Sequence, residues 1–483
     1  MSAETKAKNA IKCDISFTLK DSDGNKVAGG EAKATVSDDS VSIVPASGES
    51  LLFSPREIVD FKEGDYKIRL TLTSGEKLAL FHIGHYYEDF LRILSSTRNQ
   101  VVSDDMLMKE AVVFDAASAD FRYSEADGTA ILKGECRPKL FETGIVIMPS
   151  MGEPVRIPYS DIMEIQEEEY SVFLTLESGR TLALLRMGRE SGPFKKALNG
   201  AMNELSLKAM SALKEILPMT DSLTIRKAAR LMREGRAAMK KDLDAISPGI
   251  WESLEYKLKS AGIGEEYEYL KSISQKDSMC IGIKRGLMGD FTGEYLWLLA
   301  PVYSTDHKKP GNAIIMESVM VQVNEDEAES PEEFEEEEIE PTEEEEVESA
   351  EGESDQSSQG KATYIFRMAG RKEYKEYNDL NELHREAARF TGMLNRSLIA
   401  VNFRREPIYL SDDKLQGPKY NKYQHSIQRL PELRTLRDHF VGRVMHKSRD
   451  QWKADLADAL KFNVSAADDK ARWSKSKVKK QSE

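Results

Sequence analysis

One stretch of this chain occurs twice. Residues 30–94 align without a gap on residues 134–198, at a constant offset of 104, and 20 of the 65 positions are identical. The identities fall where a fold is most demanding. Ile43 matches Ile147, Pro45 matches Pro149, Gly48 matches Gly152, Ile58 matches Ile162 and Tyr66 matches Tyr170. Ser74-Gly75 matches Ser178-Gly179, Leu78-Ala79-Leu80 matches Leu182-Ala183-Leu184, Gly84 matches Gly188 and Phe90 matches Phe194. Agreement of this kind means one structural unit built twice. It constrains the first half of the chain more than composition does, and it names no reaction.

Each copy reads as short strands closed by one helix. In the first copy the strands are expected at 14–19, 31–36, 41–45, 50–53, 57–61, 66–73 and 77–83, with turn signals at Asp23-Gly24, Ser47-Gly48, Gly64-Asp65 and Ser74-Gly75. Tyr66, Ile68, Leu70 and Leu72 sit two apart and share one face of a strand. Tyr87, Phe90, Leu91 and Leu94 follow helical spacing. The second copy repeats this plan, and its closing helix runs from Gly192 to Ile216.

Seven short strands and a capping helix resemble the pleckstrin-homology-like (PH-like) barrel superfold, over residues 10–216. The resemblance implies two tandem PH-like barrels, 10–100 and 110–216. It does not imply inositol-phosphate binding. Lipid-binding members carry several cations in the first hairpin loop, which here holds Lys20, Asp21, Asp23 and Lys26, and in the second copy Tyr123, Glu125 and Asp127. Such barrels host many roles, so the fold alone does not fix function. No family resemblance extends to the C-terminal half.

The remainder reads as α+β. Residues 221–275 form a helical connector. Residues 277–323 and 361–463 form a discontinuous C-terminal α+β domain, with strands at 279–283, 295–303, 313–323 and 363–368. Asp379 with Glu382 suits a capping box, opening a helix whose buried stripe is Leu380, Leu383, Ala387, Phe390, Leu394 and Leu398. Pro431 suits the first turn of a further helix carrying Leu433, Leu436, Phe440 and Val444, and Trp452, Leu456 and Leu460 mark a last one. Between the second pair of strands, 324–360 is an acidic insertion expected to be disordered. Residues 464–483 form a basic flexible tail.

Charge is unevenly laid out. The net charge is −15, yet 19 acidic residues and no Lys or Arg lie between Glu325 and Asp355. Residues 361–483 hold 27 basic and 16 acidic residues. The acidic tract is therefore able to fold back on the positive C-terminal region and compete with anionic partners, an autoregulatory arrangement that salt would weaken.

The cations that stand out are Arg226, Lys227, Arg230 and Arg233, in a basic run from 226 to 241 read as one amphipathic helix, and Arg404, Arg405, Arg434, Arg437 and Arg443. Arg429 and Lys447 add to the C-terminal positive surface, with Tyr409, Tyr420 and Tyr423 interleaved among Lys414, Lys419 and Lys422. These are the candidate anion- or partner-binding residues. They suit a protein partner, nucleic acid or an anionic membrane surface.

No catalytic, cofactor or metal set emerges. The chain holds no GxSxG elbow, no HExxH and no phosphate loop; Gly286, Gly289 and Gly293 lack the required Lys-Ser/Thr. His82 and His85 sit at a strand end where the second copy has Arg186 and Arg189. No small-molecule substrate is indicated. Three scattered cysteines, Cys13, Cys136 and Cys280, make no disulfide framework, no signal peptide is apparent at the start, and no apolar run approaches bilayer length. The expectation is a cytoplasmic, non-catalytic interaction or adaptor protein. Nucleic-acid association through the C-terminal half and peripheral attachment to anionic membranes are the alternatives.

Overall fold

A computed structural model describes residues 10–106, 111–150, 152–285, 294–321, 362–415, 417, 420–446 and 448–465. The acidic insertion, and the tail from 466 onward, lie outside the described residues, as do Lys419 and Lys447. The chain is an α+β multidomain protein with two curled antiparallel sheets, a third antiparallel sheet, and helices. It divides into two compact units. The first is Met1–Glu204 with Asp413–Leu430, and the second is Leu205–Asp412 with Pro431–Glu483.

In the first unit, the first sheet is built from β1 (Ile11–Lys20), β2 (Lys26–Val36), β3 (Val41–Pro45), β4 (Leu51–Phe53), β5 (Ile58–Gly64), β6 (Lys67–Leu72) and β7 (Lys77–Phe81). Their order is β4-β3-β2-β1-β7-β6-β5. The strands form because apolar residues alternate: Ile15, Phe17, Leu19, Ile68, Leu70, Leu72, Leu78 and Leu80 all point into one core. The helix Tyr87–Asp105 closes that core with Phe90, Leu91 and Leu94.

The second sheet repeats the order over strands 119–124 to 181–185, with an added strand, Val112–Asp115, on the side of Ala130–Phe141. Its pairing register is the first sheet's register moved by 104. Phe17 faces Gly30 and Leu80; Phe121 faces Gly134 and Leu184. Ile58 faces Leu72 and, past a register shift, Asp60 faces Thr71; Ile162 faces Leu176 and Glu164 faces Thr175 across the same shift. A strand that slipped by one residue would turn its whole apolar set outward, so matched registers reflect matched burial. The Ser-Gly turns agree too. Gly75 has φ 85° and Gly179 has φ 82°, a left-handed geometry that glycine adopts without penalty.

Residues 413–430 also belong to the first unit, and this was not visible in the sequence. The helix Asn421–Arg429 packs against the helix Tyr87–Asp105. Ser426 Oγ donates to the Asp105 carbonyl. Arg429, read from the sequence as surface charge, has only 8% of its side chain exposed. Its guanidinium donates to the Ile58 carbonyl at 2.6 Å and faces Glu153 at 3.4 Å. Arg98 donates to the same Ile58 carbonyl at 3.1 Å and also pairs with Glu153. Asp105 pairs with Arg56 at 3.1 Å.

In the second unit the sheet order is Ala238–Met239, Cys280–Arg285, Glu294–Val302, Ala313–Val321, Ala362–Arg367 and Phe440–Met445, antiparallel at every pairing. Ala313–Val321 and Ala362–Arg367 pair as expected, with Ile315 opposite Ile365. One core joins this sheet to the helices over 205–273 and 449–464, through Leu213, Trp251, Leu254, Tyr267, Ile315, Ile365, Trp452 and Leu456.

Several expectations fail. Leu380, placed in the buried stripe of its helix, is 44% exposed, and Tyr66, placed on one strand face with Ile68, Leu70 and Leu72, is exposed and precedes β6. The helix opened by Pro431 ends at His439, and Phe440–Met445 is a strand paired with Ala362–Arg367. The basic run from 226 to 241 is not one helix. The helix Ser222–Leu231 stops, Glu234 takes φ 55° and Gly235 φ 88°, and Ala238–Met239 joins the sheet. A Cβ at Gly235 would lie 2.9 Å from the Lys284 side chain, so glycine is needed where the chain turns back.

Candidate functional site

A cavity of about 280 Å³ opens at one end of the first sheet. Two segments build it. The turn between β5 and β6 supplies Asp65, Tyr66 and Lys67, and the junction between β7 and the closing helix supplies Phe81, His82, Ile83, Gly84 and Tyr87. The backbone is held in sparse regions on both sides. Asp65 and Tyr66 each have φ 54°, and His82 has φ 57°. For non-glycine residues this costs roughly 1–2 kcal/mol apiece. At Asp65 and Tyr66 it gives a two-residue hairpin loop whose hand matches the twist of the flanking strands.

The walls are aromatic. Tyr66, 74% exposed, meets the buried Tyr87 edge to face at a centroid distance of 5.4 Å. Phe81 and His82 meet at 5.0 Å, also edge to face, and His82 Nδ1 lies 3.2 Å from Ser16 Oγ. Outside the cavity His85 and Tyr86 pack at 3.9 Å. Burial raises the Tyr87 hydroxyl above its ordinary pKa, and the Glu63 and Glu88 carboxylates raise it further. The phenol therefore stays protonated. Asp65 and Lys67 bring one carboxylate and one ammonium to the lining, and Glu63 and Glu88 lie close enough to act on Tyr87.

The second copy treats the same place differently. Glu169 and Tyr170, the counterparts of Asp65 and Tyr66, are not left-handed. Ser191, the counterpart of Tyr87, donates to the Glu169 carbonyl at 3.0 Å. Lys195, the counterpart of Leu91, donates to the Glu168 carbonyl and lies 3.4 Å from that of Glu169. Arg186, the counterpart of His82, pairs with Asp120 at 3.1 Å.

The cations singled out from the sequence are spread over several elements and differ in exposure. Arg226, Lys227 and Arg230 are exposed on the helix Ser222–Leu231, while Arg233 is half-buried in the turn that follows. Arg404 is half-buried and Arg434 exposed. Arg437 is engaged within the fold, donating to the Pro407 and Leu410 carbonyls at 2.8 and 2.9 Å and to Asp412 at 2.8 Å. Arg405 donates to Ser318 Oγ at 3.0 Å and lies over Tyr364, and Arg443 lies over Tyr409 at 4.3 Å. Tyr420 and Tyr423 stack on each other at 6.2 Å.

A buried polar cluster in the second unit escaped sequence reasoning. Glu317, in the middle of an apolar strand, is fully buried. Thr363 donates to it through Oγ1, Trp452 Nε1 donates to Thr363 Oγ1 at 2.7 Å, and His446 Nε2 lies 3.1 Å from Glu317. Burial works against a charged His446, but the Glu266 and Glu317 carboxylates outweigh it and raise the ring to about 9. Its contribution to stability is complete below the ordinary histidine value and is lost as pH rises through about 9. A His446→Gln variant is expected to lose that slope in thermal melts between pH 6.5 and 9.

The three cysteines are buried. Burial pushes the Cys13 thiol up to about 11 and the Cys136 and Cys280 thiols up to about 12, so all three stay protonated at neutral pH. Among the described residues no group of three or more His, Cys, Asp or Glu side chains is placed to hold a metal ion. Among the same residues no helix is long and apolar enough to cross a membrane. None of the family profiles and none of the curated proteins compared with this chain matches it.

Proposed function

We propose that the chain is a non-catalytic interaction protein of the cytoplasm, whose first unit is a tandem pair of PH-like modules. The strand order and the register repeated at an offset of 104 support the PH-like reading. The observation that carries the interaction reading is the cavity of the first copy. Its aromatic walls are open, while the counterpart positions of the second copy are engaged by the protein's own Ser191 and Lys195. One copy then serves recognition and the other serves structure. The three unpaired, protonated thiols agree with a reducing compartment.

Affinity capture with the intact chain, read by quantitative mass spectrometry, tests this. A protein partner recovered in stoichiometric amount is expected. Recovery of nucleic acid or lipid without a protein partner would replace the reading by one of the two alternatives.

A further inference from the structure

We propose that the cavity of the first copy binds the ammonium end of a lysine side chain presented by the protein partner. The inference rests on the interaction reading and adds the chemistry of the contact. Three observations converge on a cation. Tyr66, Phe81 and Tyr87 line the cavity, and aromatic ring faces attract an alkylammonium group. Asp65 lines the cavity with a carboxylate opposite the Lys67 ammonium, and the Glu63 and Glu88 carboxylates act on the Tyr87 hydroxyl in its wall. Its volume of about 280 Å³ falls below the usual range for a drug-sized ligand and suits the end of one side chain.

The second copy supplies the internal precedent. There an ammonium is already present, since Lys195 donates to the turn carbonyl of Glu168 and lies beside that of Glu169. The first copy has Leu91 at that position, and Leu91 is buried in the core instead. The same backbone corner is thus fitted with its own cation in one copy and left without that cation in the other. Asp65 and Tyr66 also hold a left-handed turn that Glu169 and Tyr170 do not, and both line the cavity. Sparse backbone geometry retained at a concave aromatic site is the pattern expected of a binding corner.

The test is ligand-observed NMR on the full chain with Nα-acetyl-lysine methylamide, a probe carrying one positive charge. Saturable binding is expected. The Nε-acetyl form of the probe, which lacks the charge, is expected not to bind. Tyr66→Ala is expected to weaken binding about tenfold, as loss of a ring facing a partly desolvated cation does. Asp65→Asn, which keeps a residue tolerant of the left-handed turn, is expected to weaken it about threefold. Tyr170→Ala in the second copy is expected to change nothing. Equal titrations for wild type and Tyr66→Ala, or equal binding of the uncharged probe, would overturn the inference. Either result alongside undiminished partner capture would leave the interaction reading standing, whereas failure of the intact chain to capture any protein would remove that reading itself.

Discussion

The two copies share a backbone and differ in what they do with their ends. Registers, the shift after Ile58 and Ile162, and the buried rings of Phe90 and Phe194 all correspond at one offset. The closing helices do not. In the first, Ser95, Arg98, Asn99, Ser103 and Asp105 are buried polar residues. Their counterparts in the second are Asn199, Met202, Asn203, Leu207 and Ala209, none of them buried. The polar set of the first helix exists because other segments lie on it. Asn99 donates to the Pro149 carbonyl at 2.8 Å, Arg98 pairs with Glu153, and the Asp105 carboxylate pairs with Arg56 at 3.1 Å. Duplication therefore preserved the part that packs a core and freed the part that meets neighbours. Buried polar groups are mostly satisfied by partners, with Thr97 Oγ1 and Asn99 Oδ1 as exceptions in this helix.

The largest expected effect tests the shared part. Phe90→Ala and Phe194→Ala each remove a fully buried ring, and each should cost about 3–5 kcal/mol in urea melts followed by fluorescence. A loss confined to one of the two would break the equivalence of the cores.

The next effect tests the divergent part. Arg429→Ala removes a buried guanidinium bonded to the Ile58 carbonyl and facing Glu153, with an expected cost of about 2–3 kcal/mol. Hydrogen exchange should rise in 95–105 and stay unchanged in 199–209.

A smaller effect is a pH dependence in two opposing parts. Burial and the nearby Arg56 and Arg429 lower His425 to about 4, so its contribution is complete above the ordinary histidine value and is lost as pH falls through about 4. Burial raises Asp105 to about 6, so its penalty is present above that value and fades as pH falls. Wild-type stability of the first unit should change little between pH 6.5 and 4. His425→Asn should make stability rise as pH falls over that interval, and Asp105→Asn should make it fall, both read from thermal melts.

The smallest effect concerns the turns. Tyr66→Gly relieves a left-handed tyrosine and should leave stability unchanged or raise it by up to about 1 kcal/mol. Tyr170→Gly relieves nothing and should lower it slightly.

Much of the first unit was legible in the sequence because its signals are local. Period-two burial at Ile68, Leu70 and Leu72 and glycine at Gly75 and Gly179 act over a few residues. The cavity was less legible. Tyr66 was visible as an identity between copies, but its exposure depends on a turn hand that Gly64-Asp65-Tyr66 adopts and Glu168-Glu169-Tyr170 does not. Arg429 could not be placed, because a guanidinium some 370 positions from its carbonyl partner leaves no periodic trace.

Two readings failed for the same physical reason, that spacing alone does not decide between helix and strand. Phe440 and Val444 continue a helical spacing from Leu433 and Leu436, yet pairing with Ala362–Arg367 captures them. The run after Arg226 has helical composition, yet left-handed Glu234 and Gly235 end it. Glu317 was hidden among Ile314, Ile315 and Val319, since nothing in an apolar strand announces that one acid within it is satisfied by Thr363 and His446.

Amide hydrogen exchange on the full chain, resolved to single residues, tests most directly whether one unit is used twice. Protection of the same order is expected at Ile68, Leu70 and Leu72 and at Val172, Leu174 and Leu176, with the slowest amides of the two sheets separated by the same 104 positions. One hairpin protected while its counterpart exchanges as an unfolded chain, or protection patterns that no constant offset relates, would contradict it.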